Sequence, residues 1–384
     1  DISADSYEAG KFINGKDIAL YSAPTGRTYA YIVADDKGWH VVDVTDPANP
    51  IVEYSFNPSS EFSFRGVAVD QGTRILAITE SIRIYGGGHF AYVRFYDIGN
   101  DPVKPEKIGQ ARLAQDYSGI PGRIDISNGY AYVSTVMIGL QVVDITASRN
   151  YDSNNPGASI TGVFSSSALG YGQPSDIIVY KSDKGLLTTS SGHLIILELA
   201  MPHSPSIAGL ITPEKGVYDA FRVSAVKAYP YYNNDGFISM MDLAVTASRT
   251  GGIHTVDLSN PYEPAVIGTV TDKDGNQLFN FASDITISKK TGLAFVAAGP
   301  MIYIVDIKDP YNPKLLNTIY DTALSSGGDT QLDIGYVNAI VEKDNHLYTS
   351  NLKFEVGMVK FGPISGGRIV ADYNRDGKID ESDR

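Results

Sequence analysis

The sequence predicts an all-β fold, a seven-bladed β-propeller that fills residues 1–362. Three observations predict it. One phrase, built around a Val-Asp pair and a proline-bearing turn, recurs six times. Its anchor acids, Asp43, Asp97, Asp144, Glu198, Asp257 and Asp306, are spaced by 54, 47, 54, 59 and 49 residues. A period near fifty with variable insertions is the spacing of blade repeats. The composition agrees: 38 Gly and 25 Tyr among 384 residues favour strands and turns over helices.

The phrase reads GWHVVDVTDPANPIVEYSF at 38–56, VRFYDIGNDPVKPEKIGQARL at 93–113 and GLQVVDIT at 139–146. It continues as LIILELAMPHSPSIAGLI at 194–211, GIHTVDLSNPYEPAVIGTV at 252–270 and MIYIVDIKDPYNPKLLNTI at 301–319. Each copy supplies a strand, a turn and a second strand. Upstream of each lies another pair of β-like runs around a short turn, such as RIDISNGYAYVSTV, where Asn128-Gly129 is a hairpin signal. Every unit therefore contains four antiparallel strands, which is one blade. The runs are apolar on both faces, as expected of sheets sandwiched between neighbours.

A seventh unit at 337–362 supplies three strands. Residues 5–13, DSYEAGKFI, resemble the fourth strands VEYSF and AVIGTV. They are expected to complete the last blade, so that both ends of the chain meet in one sheet and no edge stays open.

These repeats resemble the LVIVD-repeat β-propeller family. The resemblance covers about 350 residues and is clearest in VVDVTDPANP, TVDLSNPYEP and IVDIKDPYNP. The third copy departs from it, with ITASRNYDSNNPG in place of DPxxP, and the fourth reads ELAMPHSP without the Asp. The departures suggest reshaped loops on the same fold. The resemblance implies a bacterial or archaeal surface or secreted protein, with no consistent enzymatic activity.

The formal net charge of −13 disfavours nucleic acid and anionic membranes and favours cations. With no cysteine, disulfides, thiolate metal sites and thiol nucleophiles are excluded. No apolar run approaches the ~18 residues of a membrane span. A start at Asp1 fits a processed chain or a fragment of a longer one.

The anchor acids could be mistaken for functional carboxylates. An Asp at the end of a third strand, followed by a Thr-Asp-Pro or Ser-Asn-Pro turn, is expected instead to accept backbone N–H groups of that turn. A second column lies at the start of the innermost strands: Asp17, Gly66, Arg123, Asp176, Val223, Asp284 and Asn338. Lys16, Arg65, Ser175 and Arg222 directly precede four of them. In a propeller these positions ring one mouth of the central channel. Asp17, Arg65, Arg123, Asp176, Arg222 and Asp284 form the candidate ligand site there, with mutual ion pairing as the competing expectation.

No catalytic set stands out. The six histidines include no HExxH and no pair at metal-ligand spacing. His40 and His254 hold equivalent places in two blades, which points to packing. The run YGGGHF (85–90) lacks the Lys-Ser/Thr and helix of a phosphate loop and reads as a hairpin. Ser190-Ser191-Gly192-His193 falls between strands, not between strand and helix as a nucleophile elbow would. The acids of Asp272-Lys273-Asp274-Gly275-Asn276 read as a polar turn.

Residues 363–371 read as a linker, and 372–384 as the start of another module. The tail can be numbered against a twelve-residue calcium loop. Asp372, Asn374 and Asp376 fall at positions 1, 3 and 5, Gly377 at the sharp bend, and Lys378 offers its carbonyl at 7. Asp380 and Asp383 fall at 9 and 12. Hard Ca²⁺ takes six to eight oxygens at such spacings. With Asp at position 12, the loop resembles a dockerin-type, EF-hand-like repeat. That resemblance implies a following helix and a second loop, and the natural chain is expected to continue past Arg384.

The function expected is a non-enzymatic interaction or spacer module of a larger exported or cell-surface bacterial protein. Its partners would be protein or carbohydrate at the cell surface and further domains of the same chain, with Ca²⁺ stiffening the C-terminal junction. Two alternatives stand beside it. One is a carbohydrate-active lyase or hydrolase working at the channel mouth. The other is a shell or carrier module of a large secreted toxin.

Overall fold

Apolar runs that are buried on both faces must stack face to face, and here they stack in a ring. The computed structural model describes residues 14–47, 49–83, 88–113, 120–146, 151–152, 155–214, 218, 220–232, 237–248, 252–270, 278, 281–321, 330–332, 336–351 and 357–360. The first sheet holds β1 (Asp17–Ser22), β2 (Thr28–Val33), β3 (Trp39–Asp43) and β4 (Ile51–Phe56). The second holds β5 (Phe62–Asp70), β6 (Ile75–Arg83), β7 (His89–Asp97) and β8 (Glu106–Arg112). The third is β9 (Pro121–Ser127), β10 (Tyr130–Thr135), β11 (Gly139–Asp144) and β12 (Ser159–Phe164). The fourth is β13 (Pro174–Lys181), β14 (Lys184–Thr189), β15 (Leu194–Glu198) and β16 (Ser206–Ile211). The fifth is β17 (Arg222–Tyr232), β18 (Ile238–Ala247), β19 (Ile253–Asp257) and β20 (Ala265–Val270). The sixth is β21 (Asp284–Ser288), β22 (Leu293–Ala298), β23 (Met301–Asp306) and β24 (Lys314–Asp321), with β25 (Thr330–Leu332) added in parallel to β24. The last is β26 (Val337–Lys343), β27 (His346–Asn351) and β28 (Gly357–Lys360).

The expectation of seven full blades is thereby corrected. The described residues form six blades of four antiparallel strands and one three-stranded sheet. Among the described residues the last sheet ends at its third strand, β28. Residues 5–13, expected to fill that place, lie outside the described residues.

Burial follows position within the sheet. The second strands β2, β14 and β22 are buried at every residue, whereas the outer strand β4 alternates toward solvent. The core is therefore divided into clusters between neighbouring sheets. One joins Tyr31, Val41 and Trp39 to Phe64, Leu76 and Ile78. Another joins Ile18, Ala30 and Ile32 of the first sheet to Ala339 and Tyr348 of the last, which closes the ring. Each buried Leu, Ile or Phe contributes about 1.5–3 kcal/mol, so the stacked interfaces supply most of the stability.

The recurring phrase acts twice at each interface. Within its own turn, Asp43 accepts the Thr45 N–H at 2.9 Å, Asp97 that of Gly99 at 2.7 Å and Asp144 that of Thr146 at 2.8 Å. Asp257 and Asp306 accept from Ser259 and Lys308 at 2.8 and 2.9 Å, and Glu198 from Ala200 at 3.4 Å. The anchor acids are thus turn formers, as their sequence context indicates. The turn then docks on the outer strand of the preceding blade. The pairing slips by one residue at the same place in all six blades, for example between Thr255 and Val256. A glycine follows that slip in several of them. A Cβ on Gly209 would lie 2.3 Å from the Pro261 carbonyl, and one on Gly268 would lie 2.6 Å from the Pro310 carbonyl and 2.5 Å from Pro313. Thr255 Oγ1 donates to that same Pro310 carbonyl at 2.6 Å.

Gly268→Ala is therefore expected to destabilise the fold by about 1–3 kcal/mol through overpacking. Urea unfolding would show it as a lower midpoint with an unchanged slope.

Candidate functional site: the charged mouth of the channel

An innermost strand that faces other innermost strands has few places for a charged side chain, so charges there must find partners. Asp17, Asp176 and Asp284 start β1, β13 and β21 or lie near that start, and are only 4, 4 and 8% exposed. Arg123, from β9, reaches across the ring. It forms ion pairs with Asp17 of the first sheet and, at 3.3 Å, with Asp284 of the sixth. It also donates to the Ser283 carbonyl at 3.4 Å. Arg222 donates from Nε to the same carbonyl at 2.6 Å and from another guanidinium nitrogen to the Ser175 carbonyl at 2.8 Å. Five of the six predicted mouth residues are therefore brought together. Arg65 is exposed and makes none of these bonds.

The acids do a second job. Asp17 accepts the N–H of its neighbour Ile18 at 3.0 Å and that of Val67, in the next sheet, at 3.1 Å. Asp176 does the same with Ile177 and Val223, at 3.0 and 3.1 Å. Asp284 accepts from Ile340 of the last sheet at 2.9 Å. Each carboxylate pins its own strand to the next one. Asp125, two residues beyond Arg123, acts alike on Ile126 and Val179, at 2.8 and 2.7 Å. Sequence reasoning missed Asp125. The signal was present, because Asp-Ile recurs at 17–18, 125–126, 176–177 and 284–285. Where no Asp stands, other groups fill the junction. Thr79 Oγ1 accepts from Gly66 N–H at 2.8 Å and donates to the Gly122 carbonyl at 3.3 Å. Asn338 donates its amide to the Gly15 carbonyl.

Burial sets the electrostatics. It pushes Asp17 up to about 6, against the pull of Arg123. It pushes Asp125 up to about 6 and raises Asp176. Arg222 is lowered to about 10, first by burial and then by Arg123. Arg123 is held above the ordinary guanidinium value: burial opposes its charge, but Asp17, Asp284 and Asp176 outweigh that. The arrangement is a buried cluster in which two guanidiniums are shared among three carboxylates and the backbone carbonyls beside them.

The other candidates resolve into structure. His40 and His254 are fully buried in β3 and β19. His254 Nδ1 lies 3.1 Å from Thr269 Oγ1 and its ring packs on Tyr218. Burial lowers His40 to about 4. Of the glycine run at 85–90, residues 85–87 lie outside the described residues; Ser190–His193 joins β14 to β15. Among the described residues no group of three or more His, Asp or Glu could hold a metal. Asp272–Asn276 and the calcium-loop residues Asp372, Asn374, Asp376, Lys378, Asp380 and Asp383 lie outside the described residues. Among the described residues no helix is long and apolar enough to cross a membrane.

Comparison with known proteins agrees with this architecture. The LVIVD repeat family profile matches residues 26–58 and 118–156. The first span contains VVDVTDPANP; the second falls in the blade whose turn departs from DPxxP. Comparison with functionally curated proteins finds no match. Among solved structures, the chain is similar to the β-propeller domain of Cps50 (Swd1) from Myceliophteria thermophila. They share 12% identity and a TM-score of 0.60, over 90% of this chain and 95% of that one. It is also similar to the WD40 β-propeller domain of Doa1, with 11% identity and a TM-score of 0.55 over 95% of each chain. At such identities the likeness shows the fold alone. The chain is a β-propeller that carries LVIVD repeats.

Removing Arg123 would leave buried carboxylates without their counter-charge. Arg123→Ala is expected to cost about 3–5 kcal/mol in chemical denaturation. The pH dependence has two opposed parts. Asp17 holds its proton more tightly folded than unfolded, so its contribution falls as pH rises from about 4 to about 6. Asp17→Asn should remove that slope, so that melting measured against pH shifts in the variant's favour toward neutral pH. His40 is neutral in the fold and charges on unfolding, so its contribution falls as pH drops from about 6.5 to about 4. His40→Gln should flatten the acid side of the same melting profile.

Proposed function

We propose that this propeller is a non-enzymatic interaction module of a larger exported or cell-surface bacterial protein. The observation that carries the reading is the state of the charged mouth. Arg123 is engaged by two carboxylates, Arg222 by three carbonyls, and each acid by backbone N–H groups of the adjoining strands. Groups so committed hold sheets together, and the outer faces are left to meet partners. The resemblance of the repeats to LVIVD propellers supports the surface or secreted setting.

The test is a survey of turnover. The purified chain would be incubated with acidic and neutral polysaccharides while reducing ends and unsaturated products are followed. The expected outcome is no turnover. Cleavage that disappears in Asp284→Asn or Arg123→Lys, with folding retained, would replace this reading with a carbohydrate-active enzyme.

Calcium belongs to the same proposal. Asp372, Asn374, Asp376, the Lys378 carbonyl, Asp380 and Asp383 offer the hard oxygen donors, at the spacing, that Ca²⁺ takes. The bound ion would bring those donors together and stiffen the exit from the propeller. Weak, extracellular-type affinity, Kd on the order of 10⁻⁴–10⁻³ M, is expected. Isothermal titration with CaCl₂ should show uptake that Asp372→Ala/Asp376→Ala abolishes. Heat that is identical in the parent and this variant would remove the calcium part and leave the interaction reading standing.

A further inference from the structure

The second blade departs from the repeat at two places that face the first. At the place of Tyr96 the other five blades hold Val42, Val143, Leu197, Val256 and Val305, all fully buried. At the place of Arg94 they hold His40, Gln141, Ile195, His254 and Tyr303, also buried. Arg94 and Tyr96 are instead partly exposed. What recurs in every blade serves the architecture. A half-open Arg-Tyr pair where the other blades are sealed has another use.

Both side chains lie on the face of β7 turned to the first blade. Tyr96 packs on Trp39, 5.4 Å between centroids, and Trp39 packs on Tyr54 and Phe56 at 5.3 and 6.0 Å. Phe56 is exposed and Tyr54 partly so. Arg94 gives one terminal nitrogen to Glu80, which is 2% exposed. Its other terminal nitrogen makes no hydrogen bond among the described residues. On the outer strand β8, Lys107 and Gln110 stand opposite Tyr96 and Arg94. Lys107 Nζ donates to Gln110 Oε1 at 2.7 Å and to the Tyr151 hydroxyl at 3.1 Å. Burial raises the Tyr96 hydroxyl; Arg94 draws it down, and Glu80, Tyr54 and Tyr151 also act on it. These groups form one cluster at the seam between the two blades.

We infer that this seam binds a uronic-acid saccharide, a sugar chain that carries carboxylates. The inference rests on the interaction-module reading and names its partner class. Charge selects an anion. On the β6–β8 face turned to the first blade, Arg94, Lys107 and Arg112 meet one acid, Glu80, among the described residues, although the chain as a whole carries −13. Arg112 also stacks on Phe90 at 4.2 Å. On the first blade, Asp43 and Glu53 are paired with Arg27. A guanidinium fixed at one end by Glu80 is pre-set to receive a carboxylate at the other. The rings of Tyr54, Phe56 and Tyr92 offer flat faces for the C–H side of a sugar, with tyrosine hydroxyls and the Gln110 amide for its hydroxyls. An acidic peptide fits less well. β7 pairs with both β6 and β8 throughout 92–97, so its backbone is taken and only side chains are on offer. Extended peptides that add to a sheet bind through the main chain; a saccharide needs no such bonds.

The test uses the full chain and three probes: oligogalacturonate, oligomannuronate and a hyaluronan oligosaccharide. Trp39 is the chain's single tryptophan and lies in the seam, so its emission reports occupancy. At least one probe should change that emission saturably, with matching heat in isothermal titration. Its methyl ester should not. Arg94→Lys keeps the charge but loses the fork, and should weaken binding about tenfold or more. Lys107→Gln, on the outer strand, should weaken it too with an unchanged Tm. No binding of any probe, equal binding of the methyl ester, or equal binding of an oligoglutamate peptide would overturn the inference. Binding that both variants leave unchanged would overturn the seam while leaving the interaction reading intact. Cleavage of the bound saccharide would overturn the non-enzymatic reading and this inference with it.

Discussion

A sheet that is apolar on both faces is stable only between two others, and this constraint organises the whole chain. Each four-stranded unit has a buried second strand and apolar neighbours on both sides, so none can fold to advantage alone. The ring supplies every sheet with two partners. The cluster that joins Ile18 and Ile32 to Ala339 and Tyr348 matters as much as any other, because it brings the last sheet onto the first.

Apolar contact is non-directional and does not fix how neighbouring sheets are offset. The polar groups do that. At the outer rim, the acid of each repeat shapes a turn, and the turn fits over the preceding blade where Gly209 or Gly268 leaves room. At the inner rim, Asp17, Asp125, Asp176 and Asp284 each bond to a backbone N–H of the next sheet. Burying these carboxylates is costly, as their raised proton affinity shows, and Arg123 offsets the cost by spanning the ring. The charged mouth and the repeated turns are two ends of one device for setting register between blades.

Much of this was legible in the chain itself. The Val-Asp phrase located β3, β7, β11, β15, β19 and β23, and the turn role of Asp43 and its counterparts followed from the residues after them. The starts of the innermost strands were legible too, because Asp17, Arg123, Asp176 and Asp284 fall in one column of the repeat. Asp125 was overlooked because it lies two residues further along β9 than the column followed in sequence, and strand-to-strand offset cannot be read from spacing alone. The seam at Arg94 and Tyr96 was hidden for another reason: a repeat shows what its copies share, and only the packed blades show which copy leaves its face partly open. The count of seven full blades rested on residues 5–13 completing the last unit, and the described residues of that sheet form three strands.

The sequence by itself determined the class of fold, the six blade phrases, the chemistry of their turns and the absence of thiol chemistry, because all of these depend on local pattern. Tertiary structure alone decided which charges meet. Asp17, Arg123 and Asp284 are separated by more than a hundred residues at each step, yet ring closure puts one guanidinium between two carboxylates. That meeting depends on the curvature accumulated over the stacked sheets, which no single repeat encodes. It is also why residues that look like a binding site in one dimension serve, in three, to hold the ring together.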